Sequence, residues 1–177
     1  MVKRFFIATL ICSLFPFFSC TASDGANNTP VAIHNLDKYM GTWYEVARFE
    51  HSFERGRTNT MAVYTKMMDG TIMVENSGVK NGKQKISTAV AKTTATPGLL
   101  RVSFLWPFYS DYRVLLLAED YSYALVGGSS AKYLWILARK PEISQSVRDK
   151  ILKEATRRGY DIKKLNWVDQ SQNLSRF

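Results

Sequence analysis

The chain has 177 residues, of which 46% are hydrophobic and 13% aromatic, and this composition excludes a disordered protein and suits one globular domain. Its formal charge of +9 is compatible with an anionic membrane surface. No basic stripe interleaved with stacking aromatics occurs in a known nucleic-acid motif, so a nucleic-acid partner is not predicted.

Residues 1–19 have the pattern of an export signal. A basic start, Met-Val-Lys-Arg, precedes an almost wholly apolar run from Phe5 to Phe18, and small residues follow. The run is shorter than the roughly 20 residues that a membrane span requires. Cleavage after export is therefore predicted, and an N-terminal membrane anchor that is never cut is the alternative.

Cys20 follows the apolar run directly, after the small residue Ser19. This arrangement resembles the lipobox of bacterial lipoproteins, although Phe17 stands where leucine is usual. The resemblance implies that Cys20 becomes the first residue of the mature chain and carries the acyl groups. The other cysteine, Cys12, lies within the signal, so the mature domain has no disulfide. The alternative is ordinary cleavage nearby, which would leave a free or buried thiol.

Residues 20–32 are small and polar, and this composition predicts a lipidated flexible tether. The folded domain is then expected to occupy residues 33–177.

Eight short segments between residues 41 and 139 are rich in β-branched and aromatic residues and are separated by turn signals such as Asp69-Gly70 and Asn81-Gly82. An antiparallel meander of this kind best removes its edges by closing into a barrel. The sequence therefore predicts an all-β fold, an eight-stranded antiparallel up-and-down barrel. The predicted strands are 41–49, 58–67, 71–78, 84–93, 99–106, 111–118, 121–126 and 132–139. Residues 107–110 are predicted to form an aromatic loop between the fifth and sixth strands.

A single helix is predicted after the strands, packed on the outside of the barrel. Ser144 is a suitable N-cap and Gly159 a suitable residue to follow the last turn. An apolar stripe at helical spacing lies between them; it comprises Val147, Ile151, Leu152 and Ala155. Residues 165–168 are predicted to form a short extra strand.

Three motifs in order resemble those of the lipocalin family. They are Gly41-Thr42-Trp43 on the first strand, Ser110-Asp111-Tyr112 before the sixth, and Arg139 at the end of the eighth. The resemblance implies that Arg139 stacks on Trp43 and closes one end of the barrel. It also implies a fatty acid or a (lyso)phospholipid as ligand, a homodimer, and an outer-membrane protein that is lipid-anchored and faces the periplasm. Thr21, where aspartate would favour the inner membrane, agrees with that location.

Strand periodicity then places candidate ligand contacts. Tyr133 and Trp135 share a strand face with Arg139, so they are expected to point into the barrel if Arg139 closes its end. The predicted lipid-binding residues are Tyr64, Phe104, Trp106, Tyr109, Tyr133 and Trp135. The other positions expected on the inner wall are Ala62, Ile72, Val74, Ala89, Ala91, Val102, Val114 and Leu116. Arg55, Arg57 and Arg113 are candidate rim cations for an anionic head group.

Two other classes of function remain open. One is an envelope interaction or scaffold protein whose barrel is filled by its own side chains. The other is a lipid-modifying lipocalin enzyme that uses Glu45 or His51. The sequence has no nucleophile elbow, no phosphate-binding loop and no histidine-rich metal spacing. No catalytic residue, metal or cofactor is therefore predicted.

Overall fold

The computed structural model of the chain describes residues 25–175. The predicted signal peptide 1–19 and the lipidation site Cys20 lie outside the described residues. The strands are β1 Gly41–Phe49, β2 Thr58–Lys66, β3 Ile72–Lys80, β4 Lys83–Thr93, β5 Leu99–Leu105, β6 Phe108–Leu117, β7 Tyr123–Gly127, β8 Leu134–Ala138 and β9 Leu165–Trp167. The α-helices are α1 Leu36–Tyr39, α2 Gln145–Arg157 and α3 Ser171–Leu174, and Ile162–Lys164 forms a 3₁₀ turn.

Strands β1 to β8 form a closed antiparallel barrel. Each strand from β2 to β7 pairs with the next, and β1 closes the ring because it pairs with both β2 and β8. The short strand β9 lies outside the ring and pairs with the last residues of β1. The predicted all-β barrel, with one long helix outside it and one extra strand, is confirmed.

The barrel has two different ends. The connections β1–β2, β3–β4, β5–β6 and β7–β8 share one end, called the open end below, because successive strands alternate in direction. At this end Asn81 and Gly82 both have positive φ, 53° and 70°, as a two-residue hairpin of type I′ requires. The helix α1 covers the opposite, closed end.

The side chain of Arg139 stabilises the closed end. Its guanidinium carbon lies 3.8 Å from the centre of the Trp43 ring, and the Trp43 side chain is fully buried. The guanidinium donates hydrogen bonds of 2.6 Å to the carbonyl oxygens of Thr42 and Lys38 and one of 3.3 Å to that of Tyr121. The arginine therefore joins α1, β1 and the β6–β7 turn.

Bulges in β1 and β6 change which side chains point inward. Glu45 lines the interior, Val46 and Ala47 both pack in the outer apolar cluster, and the register of β1 against β8 shifts between Glu45 and Ala47. Likewise the register of β6 shifts between Val114 and Leu116. The expectation that Leu116 faces inward is wrong, because this bulge places it against the outer cluster.

The outer cluster lies between α2 and the barrel. Ser144 caps α2 by accepting a hydrogen bond from the amide of Val147, and Ile151 and Ala155 are buried against the barrel. Gly159 follows the helix with φ of +88°, as predicted for that position. Among the described residues, no helix is long and apolar enough to cross a membrane.

The segment before the barrel is bound to it. Residues 27 and 31 donate backbone hydrogen bonds to the carbonyl oxygens of Arg158 and Val114. The guanidinium of Arg158, which is 6% exposed, donates in turn to the carbonyl oxygens of Asn27 and Thr29. Flexibility was expected across 20–32, whereas residues 27–31 are held in place by these bonds.

The β5–β6 connection differs from its prediction. Leu105 pairs with Phe108, so β6 begins at Phe108 and only Trp106 and Pro107, joined by a cis peptide bond, lie between the strands. Residues 107–110 are therefore mostly strand and not an aromatic loop. The hairpin projects from the open end with Trp106 at its tip.

Candidate ligand-binding cavity

A cavity of about 610 Å³ occupies the barrel interior. Its wall extends from Met40 at the closed end to Phe53, Ser129 and Tyr133 in the open-end loops. This volume lies within the range of sites that enclose small ligands.

The deep part of the cavity is apolar. Its wall is made by side chains from several strands; they include Ala62, Ile72, Val74, Ala91, Leu100, Val102, Val126 and Leu137. Small residues such as Ala91 occupy positions where a larger side chain would fill the interior. The barrel therefore encloses a space that its own side chains do not occupy.

Three tyrosines form a hydroxyl cluster in this deep part. The Tyr112 hydroxyl lies 2.7 Å from that of Tyr39 and 3.1 Å from that of Tyr64. Burial raises the pKa of all three, and that of Tyr64 to about 12. Because the hydroxyls bond to one another, polar atoms are satisfied beneath an otherwise apolar chamber.

The part of the wall nearer the open end combines polar and aromatic side chains. Asn76, Ser77, Ser87 and Ser110 lie on the halves of β3, β4 and β6 that approach this end. Glu54 and Arg57 of the β1–β2 connection join them in the wall, and the aromatic side chains there are Phe53, Phe104, Tyr133 and Trp135. The cavity is thus amphipathic, with an apolar depth and most of its polar groups toward the mouth.

A buried arginine fixes the β1–β2 connection at this mouth. Arg48 is fully buried, and its guanidinium donates a 2.7 Å hydrogen bond to Glu45 Oε1. It also donates to the carbonyl oxygens of Glu54 at 2.9 Å and Arg57 at 3.1 Å. Trp135 Nε1 donates to Glu54 Oε2 at 3.3 Å, so the connection is tied to β8 as well.

The pKa values of Glu54, Glu45 and His51 near the mouth are shifted from their ordinary values. Burial, with a further contribution from the nearby Glu45 carboxylate, raises the pKa of Glu54 to about 7. Burial also raises the pKa of Glu45, and this effect outweighs the opposing influence of the Arg48 charge. Burial lowers the pKa of His51, whose ring stacks on those of Phe53 and Tyr133.

The structure brings together four of the six predicted ligand contacts. Tyr64, Phe104, Tyr133 and Trp135 line the cavity. Trp106 and Tyr109 are not in its wall: Trp106 is 79% exposed at the hairpin tip. Tyr109 is half-buried, and the Lys92 ammonium lies 5.4 Å from its ring centre. The two-residue hairpin places Trp106 at its tip, whereas Tyr109 precedes the inward-facing Ser110 on β6 and strand alternation turns it outward.

Of the three candidate rim cations, Arg57 alone lines the cavity. Its Nε atom is buried without a hydrogen-bond partner. Arg55 is exposed and lies outside the wall. Arg113 is held by Asp111 at 2.8 Å and donates to the carbonyl oxygen of Asn28.

The sequence reasoning missed the ion pair of Arg48 with Glu45 and the hydrogen bond from Arg48 to the carbonyl oxygen of Glu54. Regular alternation along β1 places residues 45 and 48 on opposite faces, but the bulge turns both toward the interior. The one available signal was the pair of opposite charges three residues apart within a strand that is otherwise largely apolar.

Fold and cavity together define a closed antiparallel barrel with internal space for one small ligand. A family described as the Lipocalin-like domain matches residues 34–170. The chain belongs to the lipocalin family.

The chain is 44% identical over 144 residues to the outer membrane lipoprotein Blc of Escherichia coli K12, covering 78% of this chain and 81% of that protein. It is 38% identical over 170 residues to the outer membrane lipoprotein Blc of Citrobacter freundii, covering 93% and 96%. Among solved structures, insecticyanin from the tobacco hornworm Manduca sexta superposes with a TM-score of 0.69 at 22% identity, covering 81% of this chain and 85% of that one. This last likeness concerns the fold alone.

Within residues 25–175, no group of three or more histidine, cysteine, aspartate or glutamate side chains is placed to hold a metal ion.

Proposed function

We propose that this protein is a lipid-binding lipocalin of the cell envelope that takes up a fatty acid or a (lyso)phospholipid and stores or transports it. One observation carries the proposal: the cavity is apolar in its depth and carries polar side chains toward its mouth. An amphiphile that enters chain-first would bury its methylenes below and leave its head group beside Asn76, Ser110 and Arg57. Each enclosed methylene contributes roughly 0.8 kcal/mol.

The cavity volume favours this function over a scaffold role. A barrel filled by its own side chains would leave no space of about 610 Å³. A ligand that occupies this space gains apolar contacts while the rigid barrel changes shape little, which is the usual design of a preformed site.

The location is proposed from the sequence and from the relatives. Two relatives carry the name outer membrane lipoprotein. Together with the predicted signal 1–19 and Cys20, these names support a protein held in the outer membrane by acyl groups on Cys20 and facing the periplasm. Replacement of Cys20 by serine is expected to move the protein from the membrane to the soluble fraction. Continued membrane fractionation would count against the anchor.

Ligand binding is tested by titrating delipidated protein with a lysophospholipid while following tryptophan emission, because Trp135 lies in the cavity wall. Affinity should rise about fourfold for each methylene added to the acyl chain until the cavity is full. The absence of a saturable change, with no lipid extracted from the purified protein, would refute the proposal.

A pair of neighbouring substitutions makes this test specific. Ala91→Phe places a ring in the cavity and should weaken binding at least about tenfold. Val90→Phe, one residue earlier, faces outward on the same strand and is the matched control, since Val90 is 42% exposed. Equal loss in both variants would show that the interior is not the site.

The lipid-modifying alternative has a direct test in the same samples. Mass spectrometry of a lysophospholipid incubated with the protein should recover it unchanged. Turnover that is lost in Glu45→Gln or His51→Gln would replace the carrier by an enzyme. The homodimer implied by the family resemblance is tested separately by light scattering of the purified protein.

A further inference from the structure

We propose that the open end of the barrel docks on a lipid bilayer, with the β5–β6 hairpin inserted among the lipids, so that the cavity mouth faces the membrane surface. The partner is a bilayer that contains anionic phospholipid. This surface goes beyond the proposed cavity function, because it concerns residues outside the cavity and a partner other than the enclosed ligand.

The hairpin carries an unusual concentration of exposed apolar surface. Leu105 is 71% exposed, Trp106 79% and Phe108 71%, and all lie within four consecutive residues. Phe104 of β5 and Phe53 of the β1–β2 connection, at 62% and 57%, add exposed rings to the cavity wall at the same end of the barrel. Contiguous apolar surface of this kind marks a binding surface, and aromatic rings are favoured at the level of lipid head groups.

The excess of basic residues around this patch favours a membrane as the partner. Six exposed basic residues lie in or next to the open-end connections and the 3₁₀ turn beside them; they are Arg55, Lys83, Lys85, Lys132, Lys163 and Lys164. The exposed acids there are Glu50 and Asp161, and Glu50 is already engaged by Asn166. Exposed apolar side chains surrounded by basic residues match the interface of an anionic bilayer, whose surface potential attracts each nearby cation.

The path of the N-terminal segment agrees with this orientation. Ala26 lies beside Gly159, and the next residue along the chain from that glycine, Tyr160, packs against Phe49 at the open end of β1. From there residues 27–31 run along the barrel toward the closed end. The chain therefore reaches the barrel from the open-end side.

Cys20 lies five positions before Gly25, and an extended chain of five residue steps spans at most about 18 Å. An acyl anchor on Cys20 would therefore hold the open end, and not the closed end, next to the membrane. This step rests on the acylation proposed above, whereas the hairpin and the ring of basic residues stand without it.

The test is vesicle flotation of the chain from residue 20 onward with Cys20→Ser, which retains every described element but carries no acyl anchor. Vesicles of phosphatidylethanolamine and phosphatidylglycerol should carry this protein to the top of the gradient, and vesicles of phosphatidylcholine alone should carry less. The double substitution Trp106→Ser with Phe108→Ser should lower the partition coefficient at least about tenfold. Raised salt should weaken the remaining binding to the anionic vesicles.

Met68→Ser is the matched control. Met68 is fully exposed in the β2–β3 turn at the closed end, so its replacement removes exposed apolar surface without touching the hairpin. It should leave flotation unchanged. Flotation of the hairpin variant at the wild-type level, or an equal loss in the Met68 variant, would overturn the proposal.

Two further readouts separate the outcomes. Lysophospholipid titration in solution should give the same affinity for the hairpin variant and the wild type, which shows that the variant is folded. If no form bound lysophospholipid while flotation still depended on the hairpin, the proposed carrier function would fail and the docking surface would stand. If light scattering showed a dimer that the hairpin substitutions split, with no flotation of the wild type, a second copy would be the occupant and the membrane proposal would be wrong.

Discussion

Replacing Glu54 by glutamine should make the folded protein less sensitive to pH. In the native structure the pKa of Glu54 is raised from 4.5 to about 7 by burial and by Glu45. Between these two values the folded state holds more protons than the unfolded state, so the free energy of unfolding falls as pH rises. Above about pH 7 the folded protein bears the full cost of the buried charge.

The size of this cost follows from the shift. One pKa unit corresponds to about 1.4 kcal/mol, so the full shift would set an upper limit of about 3 kcal/mol. Glu54 lies at the cavity mouth and is partly exposed, and solvent screening reduces the effect to about 1–2 kcal/mol. Glutamine keeps an oxygen that can accept the hydrogen bond from Trp135 Nε1. Glu54→Gln should therefore be more stable than wild type at pH 8 and nearly equal to it at pH 4.5.

The assay is urea unfolding at pH 4.5, 6 and 8, followed by circular dichroism. In Glu54→Gln the free energy of unfolding should still fall with rising pH, but less steeply, because burial also raises the pKa of Glu45. Glu119→Gln, which changes an exposed carboxylate in the β6–β7 turn, should reproduce the wild-type curve. The reasoning is refuted if Glu54→Gln and wild type lose stability in parallel, or if the variant is the less stable at pH 8.

Three other substitutions test the remaining contacts. Arg139→Met should lower the free energy of unfolding by about 3–5 kcal/mol, since it removes three hydrogen bonds to carbonyl groups and the stack on indole. Arg157→Met on the exposed face of α2 should change it little, and equal losses in the two variants would contradict the role of Arg139 at the closed end. Tyr112→Phe should cost about 1–3 kcal/mol in urea unfolding, because both of its tyrosine neighbours lose their hydroxyl partner, and a neutral result would show that water replaces it. Arg158→Met should speed hydrogen exchange at the amide of Asn27 while exchange within the barrel stays slow; unchanged exchange at Asn27 would mean that the arginine does not hold this segment.

The fold could be predicted because its signals are local. Asn81-Gly82 and Asp69-Gly70 specify turns through backbone conformations that few residues adopt, and alternation between them specifies strands. The resemblance to the lipocalin motifs then predicted that Arg139 stacks on Trp43. In the structure the guanidinium carbon lies 3.8 Å from the centre of the Trp43 ring. The same alternation predicts which residues line much of the inner wall.

The parts that could not be predicted depend on register. A bulge adds one residue to a strand without any change in composition. The alternating pattern therefore does not predict that Arg48 faces inward or that Leu116 faces outward. Pro107 and its aromatic neighbours were interpreted as a loop. Pairing of Leu105 with Phe108 makes them a tight hairpin, with Trp106 exposed at its tip and Tyr109 outside the cavity wall.

The hydrogen bonds of Arg139 at the closed end also bear on the order in which the barrel can form. Arg139 bonds to residues 97 and 101 positions earlier in the chain, so this contact cannot exist until the last barrel strand has been made and brought back to the first. Contacts so distant in sequence form late and slowly. The contact that holds the finished barrel closed can therefore form only when all eight strands are present.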